Sequence, residues 1–264
     1  MKISAKVFWF LGALALAGAP SCKEAPKPAD IHREAGDEFL RNNDYQKAAE
    51  EYGKSLEADP KQEKLYENKA FCHMNAGDMD AAEATILKTL DFKADNVAKA
   101  AVYYNLAGIY MSKNMMDKAE KNFEKSSELN PKDDQSLSWL GEIWSQRGGA
   151  RDMKAAPKPE ALLKALEYYD KAIAAKPEIP AAYVNKRIAM GKLMESERLA
   201  KEAADKQVTE AGKDKDKAAA ATAESEKHAA KYEDWKKKLE ELGKKIGEVL
   251  KNAPKAEPAK APGK

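Results

Sequence analysis

The chain repeats itself at a spacing of about 34 residues, and a period of that length confines the fold to a stack of small two-element units, none of which buries its own apolar face alone. Aligning on Pro60, Pro131 and Pro177 brings the copies into register. The third unit reads Tyr103-x-x-Leu106-Ala107-x-x-Tyr110, then Ala119-x-x-x-Phe123, then Pro131. The first gives His32, Ala35-Gly36, Phe39, Ala48, Tyr52 and Pro60, and the fourth Leu137, Leu140-Gly141, Trp144, Ala165, Tyr169 and Pro177. The second is weaker: it keeps Tyr66, Ala70, Ala82 and Ile86, but Lys69 and His73 stand where the others carry apolar residues, and Ala94 replaces the closing proline. Units start near Ala29, Glu63, Ala100 and Asp134, spaced 34, 37 and 34 residues, which places a short insertion around Asp95-Asn96-Val97.

This order of large, small and aromatic residues resembles the tetratricopeptide repeat. The resemblance implies an all-α fold in which four helix pairs, over residues 29–180, stack into a right-handed α-α superhelix with a concave inner surface. The physics agrees. Gly36, Ala70, Ala107 and Gly141 let the first helix of each pair approach Ala48, Ala82, Ala119 and Ala165 on the second, where a larger side chain would push the helices apart. Asn42-Asn43-Asp44, Ala76-Gly77-Asp78, Ser112-Lys113-Asn114 and Arg147-Gly148-Gly149 mark the turns, because these residues stop helices or tolerate left-handed backbone. Between the helices of the fourth unit, Ala150–Glu160 with Pro157 and Pro159 reads as an inserted loop, either a tolerated surface insertion or a contact for a partner.

Residues 181–251 read as a half-repeat followed by long helices, one from Ala181 to about Ala211 and one from about Asp214 to Leu250. The second carries Tyr232, Trp235, Leu239, Leu242, Ile246 and Val249 at alternating spacings of three and four. The short Gly212-Lys213 connection predicts an antiparallel hairpin whose stripe caps the open end of the repeat array, with dimerisation through the stripe as the competing use. Residues 252–264, with prolines at 254, 258 and 262, read as a disordered tail.

The N-terminus addresses the compartment. Lys2 and Lys6 flank the start of an apolar run, Val7–Ala19, too short to span a hydrocarbon core, so residues 1–21 read as an export signal. The Ala19-Pro20-Ser21-Cys22 end resembles the lipobox of bacterial lipoproteins. That resemblance implies acylation of Cys22, a tether over residues 22–28, and a protein held to a membrane of the bacterial cell envelope and facing the periplasm. Cleavage after Ala17 or Ala19 by an ordinary signal peptidase is the alternative. Removing Lys2 and Lys6 from the 46 basic residues leaves 44 against 44 acidic ones, and the interleaved charges build no concentrated positive field for nucleic acid.

No Gly-rich phosphate loop, nucleophile elbow or zinc-hydrolase motif is present. His32, His73 and His228 lack ligand-like spacing, so the expectation is a non-catalytic chain with no metal, cofactor or small-molecule substrate. The family resemblance instead places a protein or peptide partner in the groove lined by the first helix of each unit. There the sixth residue of the helix is often an asparagine that holds an extended peptide backbone, and the matching positions are Asn68, Asn105 and Asn185. One amide offers the peptide both a donor and an acceptor. Arg33, Met74, Tyr104 and Met111 match neighbouring groove positions, as do Asp37, Phe71, Trp139 and Glu142. Asp37 stands where carboxylate-clamping relatives of the family carry asparagine, which disfavours that clamp. A second reading is a carbohydrate- or cell-wall-binding module with Trp139, Trp144 and Trp235 as sugar platforms.

Overall fold

The computed structural model describes residues 25–152 and 154–252, so the export signal, Cys22 and the stretch from 253 onward lie outside the described residues. Among the described residues ten α-helices follow one another: α1 Pro28–Arg41, α2 Tyr45–Ala58, α3 Glu63–Ala76, α4 Met79–Leu87, α5 Asn96–Ser112, α6 Met116–Leu129, α7 Asp134–Arg147, α8 Pro159–Ala175, α9 Pro180–Ala211 and α10 Lys215–Asn252. They pair as α1/α2, α3/α4, α5/α6 and α7/α8, and each pair packs on the next to form an all-α superhelix.

The turns are written in residue chemistry. Asn43, Gly77 and Asn114 hold the same place in the first three units, and all three take left-handed backbone, with φ of 58°, 87° and 58°. Aspartates cap the helices after the first two turns, Asp44 accepting from the Lys47 N–H at 3.3 Å and Asp78 from Ala81 at 3.0 Å, and Asp95 caps α5 by accepting from Ala98 at 2.7 Å, whereas α6 begins after Met115 with no side-chain cap. The expected insertion near Asp95 extends α5 by a turn beyond the Ala100 unit start. The degenerate second unit has the shortest helix, α4, which gives way to a 3-10 turn over Lys88–Phe92 that lays Phe92 against Tyr66 with ring centroids 5.8 Å apart.

Each pair is held at its crossing. A Cβ on Gly36 would lie 2.5 Å from Cδ1 of Tyr52, and one on Gly141 2.6 Å from Cε1 of Tyr169. Both tyrosines are fully buried, so their hydroxyls need acceptors. Tyr52 donates to Asp37 at 2.8 Å and Tyr169 to Glu142 at 3.3 Å, each carboxylate standing directly after the small glycine. In the third unit the buried ring is Phe123, which has no hydroxyl, and the residue after Ala107 is Gly108. The acid and the tyrosine therefore come and go together within one chain. In the first and third units a buried serine adds a second tie from the end of the outer helix to the start of its partner: Ser55 donates to the Ala29 carbonyl at 2.7 Å and Ser126 to that of Ala100 at 2.9 Å.

Beyond the fourth unit, α9 and α10 form a long antiparallel hairpin, and Trp235, Leu239 and Leu242 of α10 pack against the cluster of Leu162, Ala165, Leu166, Tyr169, Met190 and Leu193. The stripe thus closes the end of the array within one molecule. The outer part of the hairpin has a thinner seam, made of buried Ala204 and Ala221, a Ser225–Asp205 hydrogen bond of 2.5 Å and a His228–Glu197 contact of 2.5 Å. Three boundaries differ from the sequence reading. Pro28 opens α1 and does not belong to the tether. Pro159 does not belong to the inserted loop but opens α8 at its first turn, where its missing N–H costs nothing, and Asn252 is helical. Among the described residues, no helix is long and apolar enough to cross a membrane.

Gly141→Ala should destabilise the protein by roughly 1–3 kcal/mol, because the new methyl enters the Tyr169 ring. Gly108→Ala, whose Cβ meets nothing within 4 Å, should be neutral or stabilise by up to about 1 kcal/mol. Urea midpoints of the two variants compared with wild type check both signs.

Candidate binding groove

The first helices α3, α5, α7 and α9 line one face, and two hollows open on it. One lies between α3 and α5, walled by Glu67, Met74, Lys93, Asn105 and Ile109. The other lies between α7 and α9, where Tyr104, Ser138, Trp139, Gln146, Arg151 and Asn185 line an open hollow of about 470 Å³. Of the residues the sequence singles out, Met74 and Asn105 share the first hollow and Tyr104 and Asn185 the second. Asn68 sits on α3 beside Glu67, half-buried, and neither Asn68 nor Asn105 has a side-chain hydrogen bond among the described residues. Met111 packs largely as support for the core around Leu106 and Phe123, and Arg33 lies outside both hollows, paired with Asp30 at 3.1 Å.

Aromatic rings furnish the floor. Trp139 stacks on Phe123 at a centroid distance of 5.9 Å and an interplanar angle of 7°, yet remains 39% exposed, so one face of the indole is open. Tyr104 meets the same Phe123 edge-on at 5.7 Å. On α3, Phe71 is 46% exposed and meets Tyr45 of α2 edge-on at 6.1 Å, so nearly half of its ring surface is open.

The inserted loop does more than bulge. Its base closes where the Lys158 N–H donates to the Gly148 carbonyl at 3.2 Å, and Lys192 of α9 donates to the Asp152 carbonyl at 3.1 Å. Between these anchors Arg151 reaches into the second hollow. Its Nε and Nη2 grip the two oxygens of Glu142 at 2.7 and 2.9 Å, and Nη2 also donates to Oδ1 of Asn185 at 3.1 Å. Gln146 and Tyr169 donate to the same carboxylate. The sequence places Glu142 and Asp37 on the groove surface; both carboxylates serve buried tyrosine hydroxyls, and Glu142 also lines the second hollow. The same reading gives Arg151 no role, since an irregular loop carries no periodicity to aim it.

Comparison with known proteins agrees with this geometry. Residues 39–101 and 100–133 match profiles described as tetratricopeptide repeat. Residues 39–133 carry tetratricopeptide repeats. A photosystem I assembly protein, Ycf3, of Prochlorococcus marinus is 29% identical over 120 residues, which make up 45% of this chain and 69% of that protein. The Hsp70-Hsp90 organising protein of Plasmodium falciparum is 29% identical over 101 residues, 37% of this chain, and the match spans only 18% of that protein. Among solved structures, a TPR repeats protein from Bacteroides fragilis superposes with a TM-score of 0.57 at 15% identity, over 86% of this chain and all of that one, which shows a shared fold.

Within this repeat scaffold the tryptophans do not make one sugar platform. Trp144 and Trp235 both pack against the cluster around Tyr169 and Met190. Arg147 and Lys164 further cover the Trp144 ring, at 4.7 and 3.8 Å from its centroid, and Trp139 alone keeps an open face in the groove. Among the described residues, no group of three or more His, Cys, Asp or Glu side chains is arranged to hold a metal ion. Cys72 is buried and its thiol is pushed up to about 11 by that burial, so it remains unreactive.

Burial alone would raise the Glu142 carboxyl, but Arg151, Gln146 and Tyr169 outweigh it and hold the group below the ordinary carboxylate range. A depressed carboxyl contributes stability that is fully present above its unfolded value and is lost as pH falls through the folded one. Glu142→Gln should therefore cost roughly 1–2 kcal/mol at neutral pH, discounted for the half-exposed Arg151. That difference from wild type should shrink steadily below about pH 4. Urea midpoints of both proteins across the acid range check the trend.

Proposed function

We propose that this chain is a non-catalytic scaffold of the bacterial cell envelope, anchored through an acylated Cys22, which binds an extended segment of a partner protein in the groove. The observation that carries the binding role is the pairing of unoccupied amides with open aromatic surface on one face. Asn68 and Asn105 have no side-chain hydrogen bonds among the described residues, and exposed Phe71 and Trp139 stand on the same row of helices. Amides that satisfy a peptide unit and rigid aromatics that bury side chains are what an extended partner requires. Relatives named for assembling photosystem I and for organising Hsp70 and Hsp90 support a role in bringing proteins together. The export signal ending at Cys22 supports the location. Binding at this surface needs no cofactor and no bond-making chemistry.

The test is capture of partners from the membrane fraction of the native host. Wild type should enter the detergent phase and bring a partner with it. A double Asn68→Ala, Asn105→Ala variant should enter that phase equally but bind the partner roughly tenfold more weakly, each lost hydrogen bond being worth about 0.5–1.5 kcal/mol. Unchanged capture would move the site off the groove, and a wild type left in the aqueous phase would remove the anchor.

A further inference from the structure

The last helix ends beside the hollow between α7 and α9, and the chain that follows it is long enough to enter that hollow. The register of the α9–α10 hairpin is set by the Asp205–Ser225 and Glu197–His228 contacts and by the packing of Trp235 and Leu239 on the cluster of Met190 and Leu193. Continued along two antiparallel helices, that register brings the end of α10, where Val249 is buried, to the first turn of α9 at Pro180. Ile179, Ala181 and Asn185, at the same end of α9, line the hollow. Lys186 and Met190 lie beside Trp235 and Leu242 of α10, whereas Asn185 faces the hollow, and consecutive helical residues point about 100° apart. A chain leaving Asn252 thus has only part of one helix to pass around, on the order of 10 Å. Residues 253–264 lie outside the described residues, and twelve residues of extended chain reach about 35 Å.

The chemistry of that stretch matches the hollow. It carries Lys255, Lys260 and Lys264 against the single acid Glu257, and its prolines at 254, 258 and 262 favour extended backbone over helix. In the hollow Arg151 and Glu142 neutralise each other, while Asp134 has no ion-pair partner among the described residues, so the lining is net negative. The tryptophans point the same way. Trp144 carries Arg147 and Lys164 on its ring and Trp235 carries Lys238, whereas Trp139, whose indole face opens into the hollow, has no cation over it among the described residues. A lysine ammonium placed there gains the ring face and the Asp134 carboxylate together. Such contacts in an open hollow are weak singly, but a segment joined to the same chain is present at millimolar effective concentration, where a contact with a Kd of about 1 mM is half occupied.

We propose that residues 253–264 fold back into the hollow between α7 and α9, laying a lysine on Trp139 and Asp134, and so occupy this end of the groove from within the molecule. The α3–α5 end, with Asn68 and Asn105, stays open, and a partner that extends as far as α7 and α9 has to displace the tail. The docking does not depend on the anchor or on partner binding through Asn68 and Asn105, so it holds or fails by itself.

A photoreactive phenylalanine analogue in place of Ala259, irradiated in dilute purified full chain and mapped by mass spectrometry, tests it. Crosslinks should form within one chain and fall on the hollow, at Tyr104, Ser138, Trp139 or Asn185. Lys255→Glu, Lys260→Glu and Lys264→Glu made together follow the last described helix and so leave the scaffold unaltered, yet they should lower that yield at least about fivefold. Asp134→Asn should lower it in the same direction, with circular dichroism confirming that the helices are kept. Equal yields from the lysine and glutamate tails would overturn the proposal, because proximity alone would then account for the product. A product that joins two chains, crosslinks confined to residues away from the hollow, or no crosslink at all would each overturn docking within the molecule. Capture of a partner through Asn68 and Asn105 is unaffected by any of these results.

Discussion

Everything in this molecule depends on how closely two helices cross within a unit. At Gly36 and Gly141 the inner helix has no side chain, and the ring of Tyr52 or Tyr169 from the outer helix fills the space to within 2.6 Å of where a Cβ would sit. That contact sets the spacing of the pair, and the spacing sets the pitch at which successive inner helices present their faces. A buried tyrosine hydroxyl then imposes a second requirement, a carboxylate at the next position, which Asp37 and Glu142 meet. One steric choice has propagated into an electrostatic one.

The fourth unit shows how such a requirement becomes functional material. Glu142 is needed by Tyr169, but a carboxylate this buried also needs a cation, and the inserted loop supplies Arg151. Once a guanidinium is fixed there, its remaining donor capacity falls on Oδ1 of Asn185 and ties the loop to α9. The groove is therefore not uniform along its length. Its α3–α5 end keeps open amides beside Met74 and Ile109, and its α7–α9 end is conditioned by a loop that ordinary repeats lack.

Much of this is legible in the sequence because the constraints are local and recur. A small residue seven places after each unit start, an Asn or Gly at the turn and, in the first two units, an Asp capping the next helix each answer a steric or hydrogen-bonding need visible in a few residues, and the stripe from Tyr232 to Val249 declares its buried face by spacing alone. Pro159 was open to misreading because proline breaks a helix interior but suits a first turn, and only the position of the helix start decides between the two. Arg151 is not legible at all: its partners lie nine residues before it and 34 after it, and the loop between follows no period. The roles of Asp37 and Glu142 were recoverable from one clue, the tyrosine in place of Phe123 at the outer-helix position of their units.

The central claim is that the inner-helix face, and not the outer one, meets the partner. Phe71 on α3 and Leu163 on α8 are both 46% exposed, so they differ in face and not in accessibility. A photoreactive phenylalanine analogue placed at either position, irradiated in the living native host, measures this directly. The account predicts a discrete crosslinked product from position 71 and none from position 163. The same product from position 163, with nothing captured at 71, would contradict it.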